Sequence, residues 1–179
     1  SCHGGTFKWS LPKQTKDGSY KPGRWHTIKG DIQLCSKGFH LTRKPTEWFE
    51  QGCTIYVAEY DGSVVKESNF GTKDKFAVKS VRLLRPASDA ELARRNIYRS
   101  GNHAFKDLPA KTHKKIVLMG DATAIVGTGY IVKLYDKSKA IINGASSVEA
   151  FDRSAVKTNN INASVSLFDK SRLVADKIG

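Results

Sequence analysis

The residues best suited to chemistry crowd into Cys2-His3-Gly4-Gly5 and the stretch from Gly30 to Thr42, with Trp25-His26 between them. Cysteine and histidine can ligate a metal, attack as a thiolate, or hold a ligand through imidazole hydrogen bonds. Cys2, Cys35 and Cys53 with a histidine have the ligand types for zinc, but they form no CxxC pair or other diagnostic spacing, so no metal is expected. Three cysteines do not make a disulfide framework, and a reducing, cytoplasmic location is the expectation. There is no P-loop, GxGxxG, HExxH or nucleophile motif, which leaves kinase, Rossmann dehydrogenase and metalloprotease readings without support. The plain structural alternatives are a tight turn at His3-Gly4-Gly5, core roles for Cys35 and His40, and anchoring roles for Trp9, Trp25 and Trp48.

These residues need a scaffold, and the first 86 residues read as a small mixed α/β domain. Strand-like runs occur at 6–9, 32–35, 39–41, 54–60, 64–66 and 76–84, with Asp61-Gly62 as a hairpin signal and 11–23 as a long loop. Pro45 to Glu50, followed by Gly52, predicts a short helix. Ser88 and Glu91 have capping-box spacing, which predicts a helix over about 89–98 in a connector spanning 87–113.

From residue 114 to 179 the chain divides into about eight units of eight residues, with a one-residue slip at Ile161-Asn162. The third column holds Ile116, Ala124, Val132, Ala140, Val148, Val156, Val165 and Leu173; the fifth holds Leu118, Val126, Leu134, Ile142, Ala150, Thr158, Leu167 and Ala175. Columns of equal parity share one face of a strand, so each unit has an apolar face that only stacking can bury. A β-solenoid follows, in two-sided coils of two units or triangular coils of three; the rival is a meander of short antiparallel strands. The fold class is therefore α+β, an α/β domain followed by a solenoid. Residues 175–179 carry no capping signal, which points either to a natural chain that continues or to oligomerisation through the solenoid edges. The GGxGxD ladders of calcium-binding solenoids are missing, so no calcium is expected.

With 30 Lys and Arg against 17 Asp and Glu the chain carries a formal charge of +13, most of it before residue 114. No apolar run approaches the roughly 20 residues of a membrane span, and no membrane partner is expected. The excess points to a polyanion such as nucleic acid, with Arg43, Lys44, Lys73, Lys75, Arg94 and Arg95 as candidate phosphate contacts. No known nucleic-acid-binding motif accompanies them.

The Cys-His-Gly-Gly opening, the turn Pro22-Gly23-Arg24-Trp25 and the Cys-x-x-Gly-aromatic-His signature from Cys35 to His40 closely resemble an uncharacterised domain of phage and prophage proteins. Many members of that family carry short solenoid-like repeats downstream. More distantly, Gly38 to Thr42, the segment containing Trp48 and the run Thr54 to Glu59 resemble the middle of ADP-ribosyltransferases. That resemblance implies NAD as cofactor, with His3 and Gly4 holding it and Phe39 and His40 forming the nicotinamide wall. Glu67 or Asp74 would then stabilise the ribosyl cation. Two functions follow: an ADP-ribosyltransferase-like phage protein acting on or near nucleic acid, or a non-enzymatic binding and assembly module that oligomerises through its solenoid.

Overall fold

The computed structural model describes residues 7–34, 36–66, 75–158, 160 and 162–174. The chain divides into two compact units, Ser1–Ser88 and Asp89–Gly179. Both are built of strands; among the described residues helix is confined to one 3-10 turn and one five-residue α-helix. The expected α+β class is thus corrected to a mainly β chain.

In the first unit, Lys13–Gln14 (β1) and Tyr20–Lys21 (β2) form a small antiparallel hairpin inside the segment expected as loop. Its turn is organised by Asp17, whose carboxylate accepts from the Thr15 hydroxyl and from the Ser19 hydroxyl and amide at 2.8 and 3.1 Å. His26–Thr27 (β3), Phe39–Thr42 (β4), Tyr56–Lys66 (β5) and Lys75–Pro86 (β6) make an antiparallel sheet centred on β6. β5 pairs along one edge of β6, and β3 and β4 share the other. Flanked on both sides, β6 carries the near-continuous apolar run expected of a central strand, with Ala77, Val78 and Val81 fully buried. Phe39, Phe76, Val78 and Val81 form the core, with Ile28, Leu41 and Ala58 against it.

Two expectations change here. Asp61-Gly62 makes no hairpin: β5 continues through it, and the register against β6 shifts between Asp61 and Val64 as a bulge. Pro45–Glu47 forms a single 3-10 turn in place of a helix, because one proline-started turn is all that fits before Phe49 enters the buried interior. In the Pro-Gly-x-Trp turn, a Cβ on Gly23 would stand 1.9 Å from the Ser10 carbonyl oxygen, so only glycine fits.

The second unit begins with Asp89–Ala93 (α1), shorter than the predicted helix because Ile97–Tyr98 (β7) already joins the sheet. Asn102–Phe105 (β8), within the expected connector, is also a strand. The remaining strands are Lys114–Leu118 (β9), Thr123–Val126 (β10), Tyr130–Leu134 (β11), Lys139–Ile142 (β12), Ser147–Ala150 (β13), Ala155–Thr158 (β14), Ser164–Leu167 (β15) and Arg172–Val174 (β16). All pairing is parallel, in two five-stranded sheets ordered β7-β9-β11-β13-β15 and β8-β10-β12-β14-β16. This is a β-solenoid of about five turns, and its coil is two-sided.

Register pairs Ile116 with Val132 and Val132 with Val148, so two eight-residue units complete a coil. Val148 then pairs with Val165 and Val156 with Leu173, which absorbs the one-residue slip without disturbing the columns. The predicted third and fifth columns point inward: Ile116, Leu118, Val126, Val132, Leu134, Ile142, Ala150 and Val156 are fully buried. A core of thirteen buried residues runs between the sheets.

One corner repeats in chemistry as well as in shape. Tyr135-Asp136-Lys137-Ser138, Phe151-Asp152-Arg153-Ser154 and Phe168-Asp169-Lys170-Ser171 occupy it in successive coils. The rings of Tyr135, Phe151 and Phe168 stack with centroids 5.0 and 4.8 Å apart and planes within 9°. The aspartates take positive φ of 58°, 58° and 56°, a conformation Asp tolerates better than most residues. Gly120 holds the same place one coil earlier, at φ 60°, where a Cβ would meet the Arg99 carbonyl oxygen at 2.3 Å.

Candidate nucleic-acid interface

The register of β4 against β6 sets Thr42 opposite Lys75, and this gathers cations at one end of the first unit's sheet. Arg43 and Lys44 follow Thr42 directly, and the Thr42 hydroxyl accepts the Lys44 amide at 2.9 Å. Pro45 then starts the 3-10 turn, closed by the Trp48 amide donating to the Pro45 carbonyl at 3.1 Å. The turn sets the Trp48 ring 4.9 Å from Lys75 Nζ while leaving it 38% exposed. Arg43 lies 5.8 Å from the centre of the buried Phe76 ring, which Tyr60, 40% exposed, meets edge-on at 5.5 Å. Lys66, exposed on β5, pairs in register with Phe76.

His40 belongs to the same group. It stands two residues before Thr42 on β4, so it shares a strand face with Thr42 and its cross-strand partner Lys75. Partial burial, and next the positive charge of Lys75, hold its imidazole below the usual 6.5. Alternation puts Lys75, with His40 and the Trp48 ring, on one face of this sheet end and Phe76, with Arg43, Tyr60 and Lys66, on the other; the acid Glu47 lies on the adjoining turn.

Of the six predicted phosphate contacts, Arg43, Lys44 and Lys75 lie at the same end of the sheet, Arg43 against Phe76 on one face and Lys75 on the other. Arg94 and Arg95 lie in the second unit, exposed, with their amides donating to Ala90 and Leu92 as α1 ends. Lys73 lies outside the described residues, as do His3, Gly4, Glu67 and Asp74 of the implied NAD site, and Cys2 and Cys35. Phe39 and His40 are successive residues of a strand and face opposite ways, so they do not form one wall. Phe39 is buried beneath Phe7 and Trp9, with ring centroids at 5.3 and 5.5 Å. His26 completes that cluster, and its Nε2 accepts the Ser10 amide at 3.0 Å. Cys53 is an exposed free thiol, and among the described residues no three His, Cys, Asp or Glu side chains are placed to hold a metal. No helix among them is long and apolar enough to cross a membrane.

The sequence reading missed Lys66, Trp48 as a partner of Lys75, and Tyr60. The signal available was aromatic residues interleaved with lysine and arginine, but only the register of β4, β5 and β6 shows which of them meet. No family model, curated protein or solved structure matches the chain.

Proposed function

We propose that this protein is a non-enzymatic module whose first unit binds single-stranded nucleic acid and whose solenoid joins copies together. The observation that carries the first part is the pairing of Lys75 with the half-open Trp48 ring; on the opposite face of the same strand end Arg43 lies over Phe76, near the exposed Tyr60. Cations alone favour any polyanion, whereas open rings next to them add stacking on unpaired bases, worth about 1–3 kcal/mol per base. A duplex keeps its bases stacked internally and offers those rings nothing.

The assembly half rests on the last rung. Leu167 and Leu173 belong to the inward columns, yet they are 42% and 48% exposed, and β15 and β16 each have a strand neighbour on one side only among the described residues. A further rung, from a second copy or from more of the same chain, would cover these side chains.

The test is fluorescence anisotropy with 20-nucleotide single-stranded DNA and RNA and the matching duplexes. Tight, salt-sensitive binding of single strands, lost in the triple variant Arg43→Glu, Lys44→Glu, Lys75→Glu, supports the reading. Binding that prefers duplex or ignores the triple variant overturns it. Nicotinamide release from NAD in the same samples would instead favour the ADP-ribosyltransferase reading, phage-type or otherwise.

A further inference from the structure

The outer faces of the two solenoid sheets differ. On the sheet containing β11 and β13, outward positions hold Ser147, Ser164, Ser166 and the cross-strand ion pair of Lys133 with Glu149 at 2.8 Å, with Ile131 the one exposed large aliphatic there among the described residues. On the other sheet, register aligns Ala104, Ile125, Ile141, Lys157 and Val174 in one outward column and Asn102, Thr123, Lys139, Ala155 and Arg172 in the next. Ile125, Ile141 and Val174 are 47%, 41% and 40% exposed. These columns line a groove of about 500 Å³ that touches all five strands, and no carboxylate is among its described lining residues.

We infer that this groove is a docking site for an acidic amphipathic helix of a partner protein. A sheet with aliphatic side chains on both faces is normally covered by a second layer, and a helix is the layer that fits an open face. The groove runs across the strands, where rungs repeat every 4.8 Å or so, close to the roughly 5.4 Å pitch of a helix. An extended strand, advancing about 6.7 Å between side chains of one face, falls out of step within two rungs. Four rung spacings come to about 19 Å, or about 13 residues of helix. Apolar residues at i, i+4 and i+11 would lie along Ile125, Ile141 and Val174, with acids above Lys157 within that column and above Lys139 and Arg172 on the flank. A small anionic amphiphile suits the chemistry less well, because such ligands are mostly enclosed and this face is open.

The probe is a fluorescein-labelled 18-residue helical peptide with leucines at i, i+4 and i+11 and glutamates at i+7 and on the flank, tested on the full chain by anisotropy. The control is a peptide of the same composition with the leucines scattered around the helix. Expected is micromolar binding of the patterned peptide, at least 10-fold weaker for the control. Ile141→Asp and the pair Lys139→Glu, Arg172→Glu should each weaken it at least 10-fold with circular dichroism unchanged. Arg43→Glu, Lys44→Glu, Lys75→Glu should leave it within 2-fold. Equal binding of both peptides, loss only in the Arg43 triple variant, no binding up to 1 mM (on the order of −4 kcal/mol), or competition by laurate without peptide binding would each overturn the inference.

Discussion

The backbone N–H of Asp136 donates to Oδ2 of Asp152, one coil further along, at 2.9 Å. Gly120 does the same to Asp136 at 2.8 Å and Asp152 to Asp169 at 3.4 Å, so each carboxylate serves the coil before its own. A hydrogen bond to a charged acceptor is worth about 1.5–3 kcal/mol, and the left-handed backbone at each aspartate costs any residue with a Cβ. Asp152→Ala should therefore destabilise the chain by about 1–2 kcal/mol, and Asp152→Gly by less, because glycine relieves the backbone while losing the same bond. Urea midpoints of the two variants decide this; an Ala variant as stable as Gly would contradict it.

Ile142 is fully buried within the coil stack, whereas Leu173 sits in the terminal rung with nearly half its surface open. Ile142→Ala should cost about 2–5 kcal/mol and Leu173→Ala under about 1 kcal/mol in the monomer. A large loss at Leu173 that grows with protein concentration would show by thermal melting, and it would mark Leu173 as buried between copies.

Trp48→Ala should weaken single-strand binding by about 1–3 kcal/mol with little change in the salt dependence, since stacking is lost and phosphate contacts remain. Lys75→Ala should lower the slope of log affinity against log salt by roughly 0.7, the value for one phosphate contact on a single strand. Titrations at several salt concentrations separate the two.

Burial and Lys75 depress the imidazole of His40, so its neutral form is favoured in the folded chain. The stability this brings is present above the ordinary value of 6.5 and is lost as pH falls through the lower folded value. A phosphate bound beside His40 acts the other way and raises its pKa, so single-strand affinity should increase as pH falls toward the lowered value of the free folded chain. Nuclear magnetic resonance titration of the His40 ring, with and without oligonucleotide, checks both signs; an unchanged midpoint would remove His40 from the interface.

The hairpin turn at Asp17 gives a local pH response. Its hydroxyl and amide donors hold the carboxyl at about 2, down from 3.8. The order of the turn should persist above pH 4 and be lost as pH falls through about 2, while Asp17→Asn should loosen it at neutral pH. Amide exchange at Ser19, whose N–H it accepts, is the readout.

The inward columns were legible because a two-residue alternation repeated at fixed spacing leaves few other ways to bury Val132, Val148 and Ile142. The two-sided coil was not, since eight-residue units stack equally well in pairs or threes until register is known. β7 and β8 escaped because Ile97 pairs with Val117 and His103 with Ala124, offsets longer than the repeat. Asp61-Gly62 misled because the dipeptide suits a bulge and a hairpin turn alike. At the interface the cations could be counted, but that Lys75 meets Trp48 while Arg94 belongs to another unit is a product of folding.

The two corners of the solenoid obey different rules. From Leu118 onward the aspartate corner takes four residues, at 119–122, 135–138, 151–154 and 168–171, after three at 99–101 in the first rung. The opposite corner takes eight residues between Phe105 and Lys114, three between Val126 and Tyr130, four between Ile142 and Ser147, and five between Thr158 and Ser164. From Leu118 onward length is thus constant at one corner of the solenoid and variable at the other. Foreign segments, epitopes or binding loops can be spliced in along a single row, spaced rung by rung, while the aspartate side acts as a ruler that keeps every insertion in line.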